Sequence, residues 1–126
     1  MQKPKPIQAE SATLSTLANA LHRRGFRFRK AARELPGHPH LVFPRWKTAI
    51  FVCDCQHYLH GCPTSLKWSF PDAHTRSKEL AIFTCVLSHR GWKVDTVWRC
   101  EVSDQAPISS RILNIFDLTV ASSADG

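Results

Sequence analysis

The stretch FVCDCQHYLHGC, residues 51–62, places three cysteines and two histidines within twelve positions. Zinc takes thiolate and imidazole donors, usually four in a tetrahedron. A chain of 126 residues suggests one domain, and the small core of such a domain gains from a covalent or metal staple. Cys53, Cys55, His57, His60 and Cys62 are all candidate donors. Cys55, His60 and Cys62 come from one loop just after an apolar run. A short loop cannot easily surround an ion, so a fourth ligand should come from elsewhere. Cys100, at the end of the last expected strand, can reach back to it. Cys85 lies inside an expected helix beside Val86 and reads as an ordinary buried thiol.

Spacing alone does not choose among the five donors of this segment, because C-x4-H-x-C is not one of the common finger spacings. The rival reading makes Cys53-Asp54-Cys55 a redox pair. That pair lacks C-x-x-C spacing, and Asp54 between the thiols would raise their pKa, whereas reactivity needs it lowered. Five cysteines, an odd number, also fit a disulfide framework poorly. The N-terminal MQKPKPIQAE carries charges but no apolar h-region. No apolar run approaches the ~20 residues of a membrane span. A cytoplasmic protein is expected, and in that compartment clustered thiols point to metal or catalysis.

Charge supplies the second signal. The formal net charge is +7, and LHRRGFRFRKAAR concentrates Arg23, Arg24, Arg27, Arg29, Lys30 and Arg33, with Phe26 and Phe28 interleaved. A concentrated basic patch is the electrostatic footprint of a polyanion partner, most commonly nucleic acid. The bland alternative is a solvated basic face.

The expected elements follow from periodicity and punctuation. Residues 1–10 read as a flexible arm. Leu14, Leu17, Ala18 and Leu21 recur at helical spacing after a Ser11 N-cap, with Gly25 as the stop. FRFRK alternates as a strand does, and ELPGHPH is a loop. LVF and TAIFV are short buried strands around a turn at Pro44–Lys47, followed by the Cys/His loop. Leu80, Phe83 and Leu87 mark a helix over residues 75–90, closed by Gly91. His22 and His89 fall near helix C-termini, and His74 precedes a helix. WKVDTVWRC is a strand. Pro107 suits the first position of a last helix carrying Ile108, Ile112, Ile115 and Phe116. The expected class is α/β, a single domain over residues 11–119 with a flexible tail at 120–126.

In this order, Gly25-Phe-Arg-Phe-Arg, Leu35-Pro-Gly-His-Pro-His-Leu-Val-Phe-Pro, Thr48-Ala-Ile-Phe-Val, the Cys/His loop and Gly91-Trp-Lys-Val-Asp-Thr-Val-Trp-Arg-Cys resemble the very short patch repair (Vsr) endonucleases. The resemblance covers roughly residues 12–102 and runs without gaps from residue 14 to 62. Residues 63–80 form a shorter, poorly matched stretch. The resemblance implies a restriction-endonuclease-like αβββαβ core braced by structural zinc. It implies magnesium-assisted nicking of double-stranded DNA, 5′ to the thymine of a T:G mismatch left by 5-methylcytosine deamination. It also implies a monomer associated with the bacterial nucleoid, with mismatch-repair proteins as candidate partners. The family's zinc ligands fall on Cys55, His60, Cys62 and Cys100, and Arg23, Arg24, Arg27 and Arg29 would grip phosphates.

This sequence departs from the family pattern at the positions that carry chemistry. The family's magnesium-holding acid falls on His40, its threonine-histidine pair on Val52 and Cys53, and its second catalytic histidine on Tyr58. The helix-borne glutamate falls on Leu14, with Glu10 one turn earlier. The aromatic pair that wedges into DNA falls on Gln56 and His57. Imidazole is a poor ligand for a hard cation that wants oxygen. Asp54 is the nearest acid and would face the same way as Val52 if the strand continued. The expected function is therefore mismatch endonuclease, with a catalytically impaired, zinc-stabilised DNA-binding relative as the alternative.

Overall fold

A computed structural model describes residues 11–30, 32–58, 60–62, 67–103, 105 and 107–116. The expected arm at 1–10, Glu10 included, and the tail at 120–126 lie outside the described residues, as do residues 117–119 of the expected domain. The described elements are helix α1 (Ser11–Arg23), strands β1 (Arg29–Lys30), β2 (Leu41–Phe43) and β3 (Thr48–Cys53), helix α2 (Ala73–His89), strand β4 (Lys93–Trp98) and helix α3 (Ser110–Ile115). The strands form one mixed sheet in the order β1-β2-β3-β4. The first two pairings are antiparallel and β3–β4 is parallel. A parallel pair needs a long crossover, and α2 lies within it.

Strand alternation divides the core between the two faces of the sheet. Leu41, Phe43, Ile50, Val52 and Val97 pack with Leu17 and Leu21 of α1 and Ile112 and Ile115 of α3. Val42, Ala49, Phe51 and Cys53 pack with Leu80 and Leu87 of α2. Every residue of β3 is buried, as a central strand covered on both faces requires. Full burial of side chains such as Ile50, Phe51 and Val52 contributes roughly 1.5–3 kcal/mol each.

α1 stops in a Schellman motif. The amide of Phe26 donates to Leu21 O at 3.1 Å and that of Gly25 to His22 O at 3.0 Å. Gly25 takes φ +93°, which a side chain would oppose. The turn then folds Phe26 and Phe28 onto the core. Gly37 fixes the loop ahead of β2. A Cβ there would meet the Phe83 ring at 2.6 Å, so α2 packs directly against that backbone.

Several expectations need correction. Only Arg29–Lys30 of FRFRK joins the sheet, although the alternation of half-buried phenylalanine and exposed arginine holds. β3 extends one residue beyond TAIFV to include Cys53. α2 begins at Ala73, so His74 lies in its first turn. α3 is capped by Ser109, whose hydroxyl accepts from the Ile112 amide at 3.3 Å; Pro107 precedes the cap and is not the first helical residue. Cys85 is exposed, because the helix turns it, with Ile82, away from the sheet.

Candidate metal centre and the adjoining catalytic positions

The parallel register builds the metal site. Cys53 pairs with Trp98 as the last rung of β3 and β4. Cys55 and Cys100 each lie two residues beyond that rung, in short 3₁₀ turns at Cys55–His57 and Arg99–Glu101. Two residues distant in sequence thus arrive side by side. His60 and Cys62 close the set from the loop. The four donor atoms of Cys55, His60, Cys62 and Cys100 all lie within 4.8 Å of one another, and Cys100 Sγ is 3.4 Å from His60 Nε2. A tetrahedral zinc site puts donors roughly 3.5–3.8 Å apart, given Zn–S and Zn–N bonds of about 2.3 and 2.0 Å. Three sulfurs and one nitrogen therefore fit a soft or borderline metal ion and offer nothing to magnesium. Burial, the largest effect, pushes the Cys55 thiol up to about 12 and also raises Cys100, and it lowers His60. A bound divalent cation reverses the thiol shifts, because it favours thiolate directly.

The turns around the donors are held from outside. The His60 ring stacks on Trp98 with centroids 4.2 Å apart. The Trp98 amide donates to Glu101 at 2.9 Å. Arg111 of α3 grips both oxygens of Glu101 and also donates to Asp95 at 3.1 Å and to Thr96 O at 3.0 Å. Sequence reasoning missed Arg111. Its partners lie ten to sixteen residues away across a loop, and no local spacing marks them.

Beside the donors, a second group is assembled around the end of β3. His40 is buried, and its Nδ1 accepts the Val52 amide at 2.7 Å. A backbone N–H can only donate, so Nδ1 carries no proton and its lone pair is taken. The imidazole thereby continues the β2–β3 ladder beyond the His40 N to Ile50 O bond. Cys53 is fully buried, and burial pushes its thiol up to about 12 despite a hydrogen bond from the Tyr58 phenol. Burial likewise raises Tyr58, which Arg76 also contacts. Arg76 Nε in turn donates to Asp72 at 2.6 Å. The result is a chain Cys53–Tyr58–Arg76–Asp72 whose buried end is neutral.

Asp54 does not continue the strand. It caps the 3₁₀ turn, accepting from the Gln56 amide at 3.2 Å, and lies 3.6 Å from His57 Nε2. The condition for it to face the same way as Val52, a strand that continues, is not met, since β3 ends at Cys53. Gln56 O accepts the Phe70 amide at 2.9 Å, and His57 stacks on Phe70 at 4.1 Å. Phe70 in turn meets Trp68, which is about half exposed. Sequence reasoning missed this aromatic pair as well, because it lies in the poorly matched stretch.

A family model described as DNA mismatch endonuclease Vsr matches residues 4–64. The chain is 36% identical over 103 residues to "Type II nicking enzyme V.XorIIP" of Xanthomonas oryzae pv. oryzae, covering 77% of this chain and 76% of that protein. It is 32% identical over 95 residues to "Type II nicking enzyme V.NmeAIP" of Neisseria meningitidis, covering 71% of this chain and 68% of the relative. The chain belongs to the Vsr DNA mismatch endonuclease family.

In Vsr terms, the structure brings together all four residues expected to bind zinc and keeps Cys53 and His57 out of that cluster. The positions expected to be catalytic, His40, Cys53 and Tyr58, are buried. Leu14, where the resemblance places a glutamate, packs against the core. Of the basic residues, Arg23, Arg24, Arg27 and Arg29 are exposed at and beyond the end of α1. Arg29 forms an ion pair with Glu34, and Arg23 Nε donates to Asn19 O at 3.4 Å. Among the described residues, no helix is long and apolar enough to cross a membrane.

Proposed function

We propose that this chain is a DNA mismatch endonuclease of very short patch repair, with a restriction-endonuclease-like core. It would nick double-stranded DNA 5′ of the thymine in T:G mismatches. The observation that carries this reading is the four-donor cluster at the common end of β3 and β4, in a chain whose relatives are named nicking enzymes. Zinc at Cys55, His60, Cys62 and Cys100 would brace the loop that follows β3. Magnesium would polarise the scissile phosphate. Arg23, Arg24, Arg27 and Arg29 would hold the phosphate backbone, with affinity that falls as salt rises. Gln56 and His57, backed by Phe70 and Trp68, would lie against the mismatch.

One observation favours a second reading. His40 spends its Nδ1 lone pair on Val52, and Cys53 and Tyr58 are neutral partners of one another. None of the three offers the anionic oxygen that magnesium binds. A catalytically impaired, zinc-stabilised DNA-binding relative fits that site equally well. A strand-nicking assay with a T:G duplex, a matched duplex and millimolar magnesium separates the two. Magnesium-dependent cleavage confined to the mismatched duplex establishes the endonuclease. Salt-sensitive binding to both duplexes without cleavage establishes the impaired relative.

A further inference from the structure

The basic residues at the end of α1 and the β2–β3 turn lie at the opposite end of β3 from Cys53 and the metal donors. Residues 11–53 hold eight lysines and arginines against one acid, Glu34, and that acid is paired with Arg29. Two adjoining depressions open where α1 ends against the β2–β3 turn. The larger, about 460 Å³, is lined by Arg24, Gly25, Phe26, Arg27, Arg45 and Trp46. Its neighbour shares Gly25, Phe26 and Arg27 and adds His22 and Phe28. Among the described residues, no carboxylate lines either. The β2–β3 turn precedes Thr48, whereas Cys53 and the metal donors follow the other end of β3. Five steps of strand separate the two ends by about 17 Å.

The groove has a specific make-up. Arg24, Arg27 and Arg45 are exposed cations on its rim. Arg45 lies over the Trp46 ring, 5.5 Å from its centroid, and Trp46 is backed by Phe26 at 6.2 Å and Phe116 at 5.8 Å. A cluster of tilted and edge-on aromatic rings with a guanidinium over Trp46, beside two further arginines, matches alternating base and phosphate. A duplex hides its base faces and would use only the charge. An unpaired strand would use both, through stacking and phosphate contacts.

We infer that this groove binds single-stranded nucleic acid, as a contact separate from the end of the sheet that carries the metal donors. Phosphates sit on Arg24, Arg27 and Arg45, and one base extends the Arg45–Trp46 stack. The inference does not depend on whether the chain nicks DNA.

The test is titration of the full chain with a dodecamer of deoxythymidylate, followed by tryptophan fluorescence and by anisotropy of a labelled oligomer. Binding should quench the wild type, and Trp46→Phe, which keeps an aromatic ring in place, should lose most of the quench. The double variant Arg24→Glu/Arg45→Glu should bind the oligomer at least about tenfold more weakly, with a salt slope flatter by about 1.4 for two lost single-strand phosphate contacts. Free thymidine monophosphate should bind far more weakly than the oligomer. Undiminished quenching in Trp46→Phe overturns the inference, as does affinity within twofold of wild type in the charge-reversed variant. Equal affinity for the monophosphate also overturns it, since the groove would then be a mononucleotide pocket. Nicking of the T:G duplex by the same preparation is scored separately. Oligomer binding without nicking leaves the groove standing and removes the nuclease reading. Nicking without oligomer binding does the reverse.

Discussion

Two sites that share residues of the segment 51–62 have opposite chemistry. Cys55, His60, Cys62 and Cys100 converge as a complete donor set at the protein surface. A few residues away, His40, Cys53 and Tyr58 are sealed in the core, each hydrogen-bonded to protein. The first arrangement gains from a cation, because four donors at this spacing are otherwise crowded thiols and an imidazole. The second gains nothing from one, because its lone pairs and protons are already matched. Nearness in sequence says little about role here. Pairing beyond the end of the strand decides which residues meet.

The largest expected effect comes from breaking the first site. Removal of metal by a strong chelator, or Cys100→Ser, should lower the melting temperature by about 10 °C or more, since structural zinc contributes on the order of 10 kcal/mol in small domains. Metal content measured alongside should fall from one equivalent. A melting curve that ignores the chelator would show that the cluster is not a structural metal site.

Converting part of the second site toward a metal-binding one comes next. Asp at position 40, introduced as His40→Asp, can still accept the Val52 amide but brings a charge into the core. It should cost roughly 1–3 kcal/mol without magnesium. Millimolar magnesium should then raise the melting temperature of the variant while leaving the wild type unmoved, because a ligand stabilises only a state that binds it. Equal responses of the two proteins would remove the contrast between the sites.

Cys53 provides a pH test. Burial raises its folded pKa to about 12, above the ordinary thiol value of 9.0. Below pH 9 the thiol is neutral whether the chain is folded or not, so its contribution is intact. Between 9 and 12 the unfolded chain loses the proton and the folded one keeps it, so stability falls as pH rises. Denaturant melts across that window should show the loss, and Cys53→Ala should show less of it. Under native conditions near pH 8, iodoacetamide should modify exposed Cys85 well before Cys53. Early modification of Cys53, read by mass spectrometry, would contradict its burial.

The smallest effect belongs to Arg111→Ala. Arg111 is about half exposed, so its ion pairs with Glu101 and Asp95 should be worth only about 1 kcal/mol in a melt. They tie α3 to the turn that carries Cys100, so metal release to a chromogenic chelator should be faster in the variant. Unchanged release would confine Arg111 to α3 packing.

Much of this molecule is determined by sequence that acts locally. The αβββαβ order, the stop at Gly25 and the buried β3 follow from periodicity and from backbone preferences within a few residues. The candidacy of Cys55, His60 and Cys62 rests on donor chemistry within one loop, and their choice over Cys53 and His57 on the family resemblance. Tertiary structure decided the rest. Cys100 meets the loop only because β3 and β4 pair in parallel with Cys53 opposite Trp98. Cys85 is exposed because the sheet takes Leu80 and Leu87 of α2 instead. His40 is spoken for because the ladder places the Val52 amide 2.7 Å from its ring. In each case the deciding partner is at least twelve residues distant or belongs to another layer. Local propensity cannot encode such a contact, and only the packing of the whole sheet fixes it.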